Sequence, residues 1–202
     1  MSSAAPKAPS QARGEKRVAE LKAAAEEVFA QQGYEAATMT AIAKAAGAPI
    51  GSLYQFFPSK EALALTLMTQ YLEESAATIA KLRDGPMLDA HTLADELINR
   101  SSGYLKTHPA WTVLAEAPAL AAIKPDARAA LARTLEEVLL HWLPKVPRAE
   151  MRPIALAAWQ MVKSTNALVR ELPRAEAQKA GGEMRRALGM YLRERLKDAG
   201  LR

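Results

Sequence analysis

The sequence predicts an all-α fold: an N-terminal three-helix unit feeding a larger helical bundle, about nine helices in total. Three observations predict it. Apolar residues recur at helical spacing through nearly all of the 202 residues. Proline and glycine interrupt that pattern where helices end. No stretch sustains the alternation of β-branched residues that a strand requires.

The elements follow in order. Residues 1–12 are, after Met1, Ser, Ala, Pro, Lys and Gln, with too little apolar surface to offset the cost of ordering, and read as a disordered tail. From Arg13 a first helix places Val18, Leu21, Ala25, Val28 and Phe29 on one side. Gly33 ends it, and Tyr34 is positioned to fold back as the apolar C-terminal contact. Thr38 suits the N-cap of a short second helix with Ala41, Ile42, Ala45 and Ala46 inward. Gly47 stops that helix, Pro49 opens a third running from Ile50 to Phe57, and Pro58 closes it. Ser59 caps a long fourth helix lined by Leu63, Leu67, Tyr71, Ile79 and Leu82 up to Asp84-Gly85-Pro86. Further helices are expected near 89–107, 110–117, 126–143, 149–171 and 175–198, separated by prolines.

Composition narrows the function. Half of the chain is apolar and 24% is charged, the balance of a globular protein. There is no cysteine, which excludes disulfides, a thiolate nucleophile and cysteine metal sites. His91, His108 and His141 are far apart, so neither a metal nor another cofactor is expected. No apolar run is long enough to span a membrane, the N-terminus has no apolar signal core, and the expected compartment is the cytoplasm. The +5 net charge is spread along the chain, so any nucleic-acid reading must come from placed residues. No GxSxG elbow, P-loop or GxGxxG is present, and no enzyme is expected.

The informative stretch runs from Gly33 to Lys60. Two short helices meet across Gly47-Ala48-Pro49, the spacing of a helix-turn-helix. Leu53, Phe57 and Ile42 supply a small core, which leaves Ser52, Tyr54 and Gln55 facing outward. Gln55 suits bidentate contact with adenine in the major groove, and the Tyr54 hydroxyl suits a phosphate. Gly51 is costly inside a helix and points to close approach of a partner backbone or base edge. Thr38 caps a helix and can also meet a phosphate there. Lys60 adds its charge to the amides of a capped helix start, which reads as a phosphate site.

These residues resemble the tetracycline-repressor (TetR/AcrR) family of bacterial regulators over about Arg17 to Leu67. The resemblance rests on Phe29, Gly33-Tyr34, Thr38, Ile42-Ala43, Ala46-Gly47, Gly51-Ser52-Leu53-Tyr54-Gln55-Phe56-Phe57 and Lys60-Glu61-Ala62-Leu63. It implies phosphate contacts for Tyr54 and Lys60. Thr40 is either a plain exposed threonine or, as the resemblance implies, a base contact. Pro49 and Ile50 depart from the family's common polar residues. Pro49 removes a hydroxyl, and Ile50 could meet a thymine methyl instead. Arg13, Lys16 and Arg17 form either a solvated helix start or an arm reaching DNA.

Domain limits are expected at 13–60 for the DNA-binding part and 61–202 for ligand binding and dimerisation. Met151, Ile154, Ala155, Ala158, Val162, Thr165 and Val169 line one face of 149–171. Met184, Ala187, Leu188, Tyr191, Leu192 and Leu196 line one face of 175–198. Both faces suit ordinary core packing; the resemblance implies a homodimer through these two helices, with Leu188 and Leu192 in its interface. Met68, Tyr71, Tyr104, Trp111, Trp142, Trp159 and Met161 are either core or lining for an apolar or aromatic effector. The expected function is a homodimeric regulator on a palindromic DNA operator, a repressor released by a small molecule. The alternatives are a ligand-dependent activator and a helical ligand-binding or interaction protein that does not touch DNA.

Overall fold

The computed structural model describes residues 8–142 and 146–198, with side chains for 12–120, 129–142 and 146–195. Among the described residues it holds nine α-helices and no strand. They are α1 (Ala8–Ala36), α2 (Met39–Ala45), α3 (Ile50–Phe56), α4 (Lys60–Ala80), α5 (Ala90–Thr107), α6 (Ala110–Glu116), α7 (Lys124–Trp142), α8 (Arg148–Glu171) and α9 (Arg174–Asp198). Two 3-10 turns follow α4 and α6, at Lys81–Arg83 and Pro118–Ile123.

The helix already occupies residues 8–12, which the sequence assigned to the tail; residues 1–7 lie outside the described residues. Pro9 falls in the first turn, where its missing N–H costs no intrahelical bond. At the other end, Gly33 takes φ +80° and ψ 164°, a conformation close to glycine-only, and breaks the helical path before Tyr34–Ala36. Tyr34 does fold back: its ring stacks on Phe29 at 5.8 Å between centroids.

The chain forms two compact units. The first extends to Tyr71 and also takes in His108–Lys124, so compactness does not follow the boundary expected at residue 60. The reason is packing: α1 is covered by α2 on one part of its surface and by α6 on another. Leu21, Phe29, Ile42, Leu53, Leu63 and Leu114 are fully buried in this unit. Lys22 on α1 also donates to the Gln70 amide oxygen on α4 at 2.6 Å.

The second unit contains Leu72–Thr107 and the chain from Pro125 onward. Here α5, α8 and α9 pack on one another. Their shared core holds Leu93, Leu97, Met151, Val162, Leu188 and Leu192. One buried polar pair crosses it, Asn166 donating to the Ser101 hydroxyl at 2.8 Å. Of the two expected faces, Met151, Ile154, Ala155, Ala158, Val162, Thr165, Leu188 and Leu192 are covered by the same chain, which is the core-packing reading, whereas Val169 and Ala187 are exposed and Met184 and Tyr191 half-buried. Leu196 lies outside the described side chains.

Helix α5 begins at a cap the sequence reading did not single out. Asp89 accepts from the amides of His91 at 2.9 Å and Thr92 at 3.2 Å, and from the Thr92 hydroxyl. The Thr92 hydroxyl first, and the amides with it, hold this carboxyl below the usual carboxylate range. A lowered folded value means the cap's contribution is complete above the unfolded value, near 4. It fades as pH falls through the lower folded value. In an acid titration followed by circular dichroism, the native chain should keep an advantage over Asp89→Asn at neutral pH and lose it below about pH 4. An advantage that persists unchanged to the end of the titration would show that the cap does not depend on the charge.

Candidate nucleic-acid interface

The helix-turn-helix is built from local chemistry. Thr38 is extended, with φ −124° and ψ 152°, and its hydroxyl accepts from the Ala41 amide at 3.1 Å. The turn is tied by Gly47 N–H to Lys44 C=O at 3.1 Å and Ala48 N–H to Ala43 C=O at 2.9 Å. Gly47 sits at φ +57°, which a side chain would disfavour. Pro49, at φ −59°, precedes α3, and its carbonyl accepts from Ser52 at 2.9 Å. The sequence-predicted cap, turn and third helix are all in place.

Helix α3 is anchored from one side. Leu53 is fully buried and Phe57, just past the helix end, is 5% exposed. At 3.6 residues per turn, Gln55 stands opposite that buried side, with Gly51 one turn before it. Both are exposed. Tyr54 at 51% and Phe56 at 39% flank Gln55 at similar angles, and Ile50, one turn before Tyr54, is 41% exposed. Ser52 is half-buried. A Cβ built on Gly51 meets no atom within 4 Å, so nothing in this chain explains the glycine by close approach. From Ala45 to Ser59 there is no charged residue, so this outward surface is amide, hydroxyl and apolar. Phe56 was not among the expected contact residues. The signal was present: with Leu53 and Phe57 inward, Phe56 has no inward position left.

Around α3, Thr40 on α2 is exposed and Thr38 remains exposed while capping. Lys44 is exposed at the end of α2. Arg17 pairs with Glu20 one turn along at 2.9 Å, with both side chains about two-fifths exposed. Such a pair is weak and screened, so it leaves Arg17 able to exchange partners.

Lys60 departs from the phosphate reading. Its ammonium donates to the carbonyls of Tyr34 at 2.7 Å, Glu35 at 3.0 Å and Ala37 at 2.9 Å. It also lies 4.6 Å from the Tyr34 ring centroid, over the ring. A lysine has three N–H donors, and all three are used. The cap of α4 is supplied by Ser59, whose hydroxyl accepts from Ala62 N–H at 3.1 Å.

The candidate effector residues fall into both units. In the first, Met68 and Tyr71 are buried, and Trp111 is half-buried with its ring 5.7 Å from that of Tyr71. His108, which the sequence reading left aside, joins them at 5.2 Å from Tyr71. In the second unit Trp142 and Trp159 are buried and Met161 is half-buried. Tyr104 donates its hydroxyl to Glu74 at 2.8 Å. An open cleft of about 470 Å³ in this unit is lined by His91, Asp95, Arg185, Arg186 and Met190, none of them a candidate effector residue. Arg185 and Asp95 pair across it at 3.2 Å. Among the described residues no group of three His, Asp or Glu could hold a metal ion. No described helix is long and apolar enough to cross a membrane.

Residues 21–67 match the family model described as bacterial regulatory proteins, tetR family. No curated protein matches the chain closely. Solved structures resemble the whole fold. A TetR-family transcriptional regulator from Streptomyces coelicolor is 24% identical, with TM-score 0.66, over 87% of this chain and 97% of its own. The fatty acid degradation regulator FadR from Bacillus halodurans is 18% identical, with TM-score 0.69, over 91% and 96%. FadR from Bacillus subtilis, in complex with stearoyl-CoA, is 14% identical, with TM-score 0.66, over 84% and 96%. At these identities the likeness concerns the fold.

Proposed function

We propose that this chain, whose residues 21–67 match the tetR family of bacterial regulatory proteins, is a homodimeric, sequence-specific DNA-binding regulator of transcription. One observation carries the reading. Helix α3 spends Leu53 on the core and directs Gln55, Tyr54, Ile50 and Phe56 to solvent. Large apolar side chains are not left together on a seven-residue helix for solubility, and here they surround an amide suited to adenine. Tyr54, Thr38, Thr40, Ser52 and Arg17 are the groups available for phosphate or base contact beside it, with Pro49 and Gly51 shaping the approach. Domain 13–60 carries this surface, and 61–202 carries effector binding and dimerisation. Its place of action is the cytoplasm, where the operator is.

The dimer uses α8 and α9, through outward residues rather than the buried ones. Leu156 at 45%, Val169 at 59% and Met190 at 60% exposure are the large exposed apolar side chains those two helices offer to a second copy. Two α3 helices then enter successive major grooves about 34–36 Å apart on a palindromic site. Repression by occupying the operator, relieved by an apolar effector, is the simplest use of such a protein. A long-chain acyl-CoA is the first effector to test, because a protein of similar fold holds stearoyl-CoA.

The test is selection of duplexes from a random pool, followed by affinity measurements at several salt concentrations. A palindromic consensus bound with a negative salt slope is expected. Failure to retain any duplex would remove the DNA-binding reading and leave a helical ligand-binding protein. With the consensus in hand, Gln55→Ala should lose discrimination at one base pair per half-site by about 1–3 kcal/mol. An even loss across all operator variants would make Gln55 a positioning contact instead.

A further inference from the structure

Lys60 is the first residue of α4, where a helix dipole disfavours a cation. Its charge is nevertheless placed at the other polarity. The carbonyls of Tyr34, Glu35 and Ala37 lie just beyond the break at Gly33, where α1 leaves acceptors without helical partners. A lysine that satisfies such carbonyls complements the negative end of a helix. The Tyr34 ring lies beneath the same ammonium and stacks on the buried Phe29. One side chain thus fixes the end of α1 to the start of α4.

What lies between those two points is the helix-turn-helix itself. Ala37 is the residue before the α2 cap, and Lys60 follows α3 by four positions. The bond from Lys60 to Ala37 therefore closes the base of the segment 38–59. Resting on the DNA-binding reading above, we infer that Lys60 is a positioning residue: it sets how α2 and α3 are presented to the duplex and does not itself contact phosphate. Its three donors are already placed in the free protein, so the α2–α3 pair meets DNA preorganised. Ligand-driven movement of the α4 start would then move both ends of the segment together.

Two measurements test this. The first uses the native chain without DNA. Brief acetylation with acetic anhydride, read by mass spectrometry, should modify Lys60 about tenfold more slowly than the exposed Lys44, because charge-assisted hydrogen bonds must first open. Equal rates, with protection appearing only when the operator is added, would overturn the inference in favour of a phosphate contact. The second uses Lys60→Met, which keeps the stem and removes the donors. Operator affinity should fall about tenfold, with the salt slope unchanged, and Ala41 amide exchange should speed up. A salt slope reduced by about 1 would mark a lost phosphate contact and overturn it. A variant that is less stable yet binds as the native chain does once folded would reduce Lys60 to a structural bond and also overturn it. Should Lys60→Met fail to fold, the labelling result decides. Should the native chain bind no duplex, the DNA-binding reading fails separately, while slow Lys60 labelling still upholds the closure of the segment.

Discussion

Gly33→Ala is expected to lower the stability of the first unit by about 1–3 kcal/mol. A Cβ at Gly33 would meet nothing within 4 Å, so no clash contributes. The cost lies in the backbone. At φ +80° and ψ 164° an L side chain is strained wherever it points. The chain could relieve that strain only by turning Tyr34 away from Phe29 and its carbonyl away from Lys60. Operator binding should therefore weaken together with stability. Gly14→Ala supplies the control. It lies in the same helix with open space around it and no positive φ. Replacing a helical glycine there should stabilise by about 0.5–1 kcal/mol. Urea unfolding of both variants decides the matter; shifts in the same direction would show that the break at Gly33 carries no strain.

The contrast between these two glycines shows what a sequence conveys. Both are glycines within one long helix, yet only Gly33 is followed by an aromatic that can fold back, and that marked it as an end. The same kind of local signal located α2 and α3. Thr38, Gly47, Pro49 and Pro58 each act on backbone atoms within a few residues, so their effect is readable without tertiary structure. The start of α1 was missed because a proline in a first turn looks the same as a proline in a tail. The partners of Lys60 were hidden for a different reason. They are carbonyls 23 to 26 residues away, and a carbonyl has no sequence signature. The residue type announced a cation near a helix start; only the fold showed which helix end it serves. For Gln55, Tyr54 and Ile50, periodicity was enough, because a short helix with two inward anchors has few outward positions left.

Leu188→Glu is expected to unfold the second unit, a loss of about 4 kcal/mol or more, rather than to release a dimer. Periodicity correctly placed Leu188 and Leu192 on an apolar face of α9. Periodicity names the face and not its cover, which can be another helix of the chain or a second copy. Here α5 and α8 supply the cover, and the two leucines are 0% and 1% exposed. A carboxylate at Leu188 loses the leucine's packing and is left in an apolar core at a large desolvation cost. Met190, two residues along, is 60% exposed. Met190→Glu should leave the unfolding free energy from urea titration within about 0.5 kcal/mol of native. Combined with Leu156→Glu, it places charge where a second copy would meet α8 and α9. Light scattering should then report folded monomers with weak operator affinity, since each monomer reaches a single half-site. If the Leu156→Glu/Met190→Glu chain remains dimeric, the copy seats elsewhere. If Leu188→Glu keeps the native midpoint, α9 is not held in the core as described.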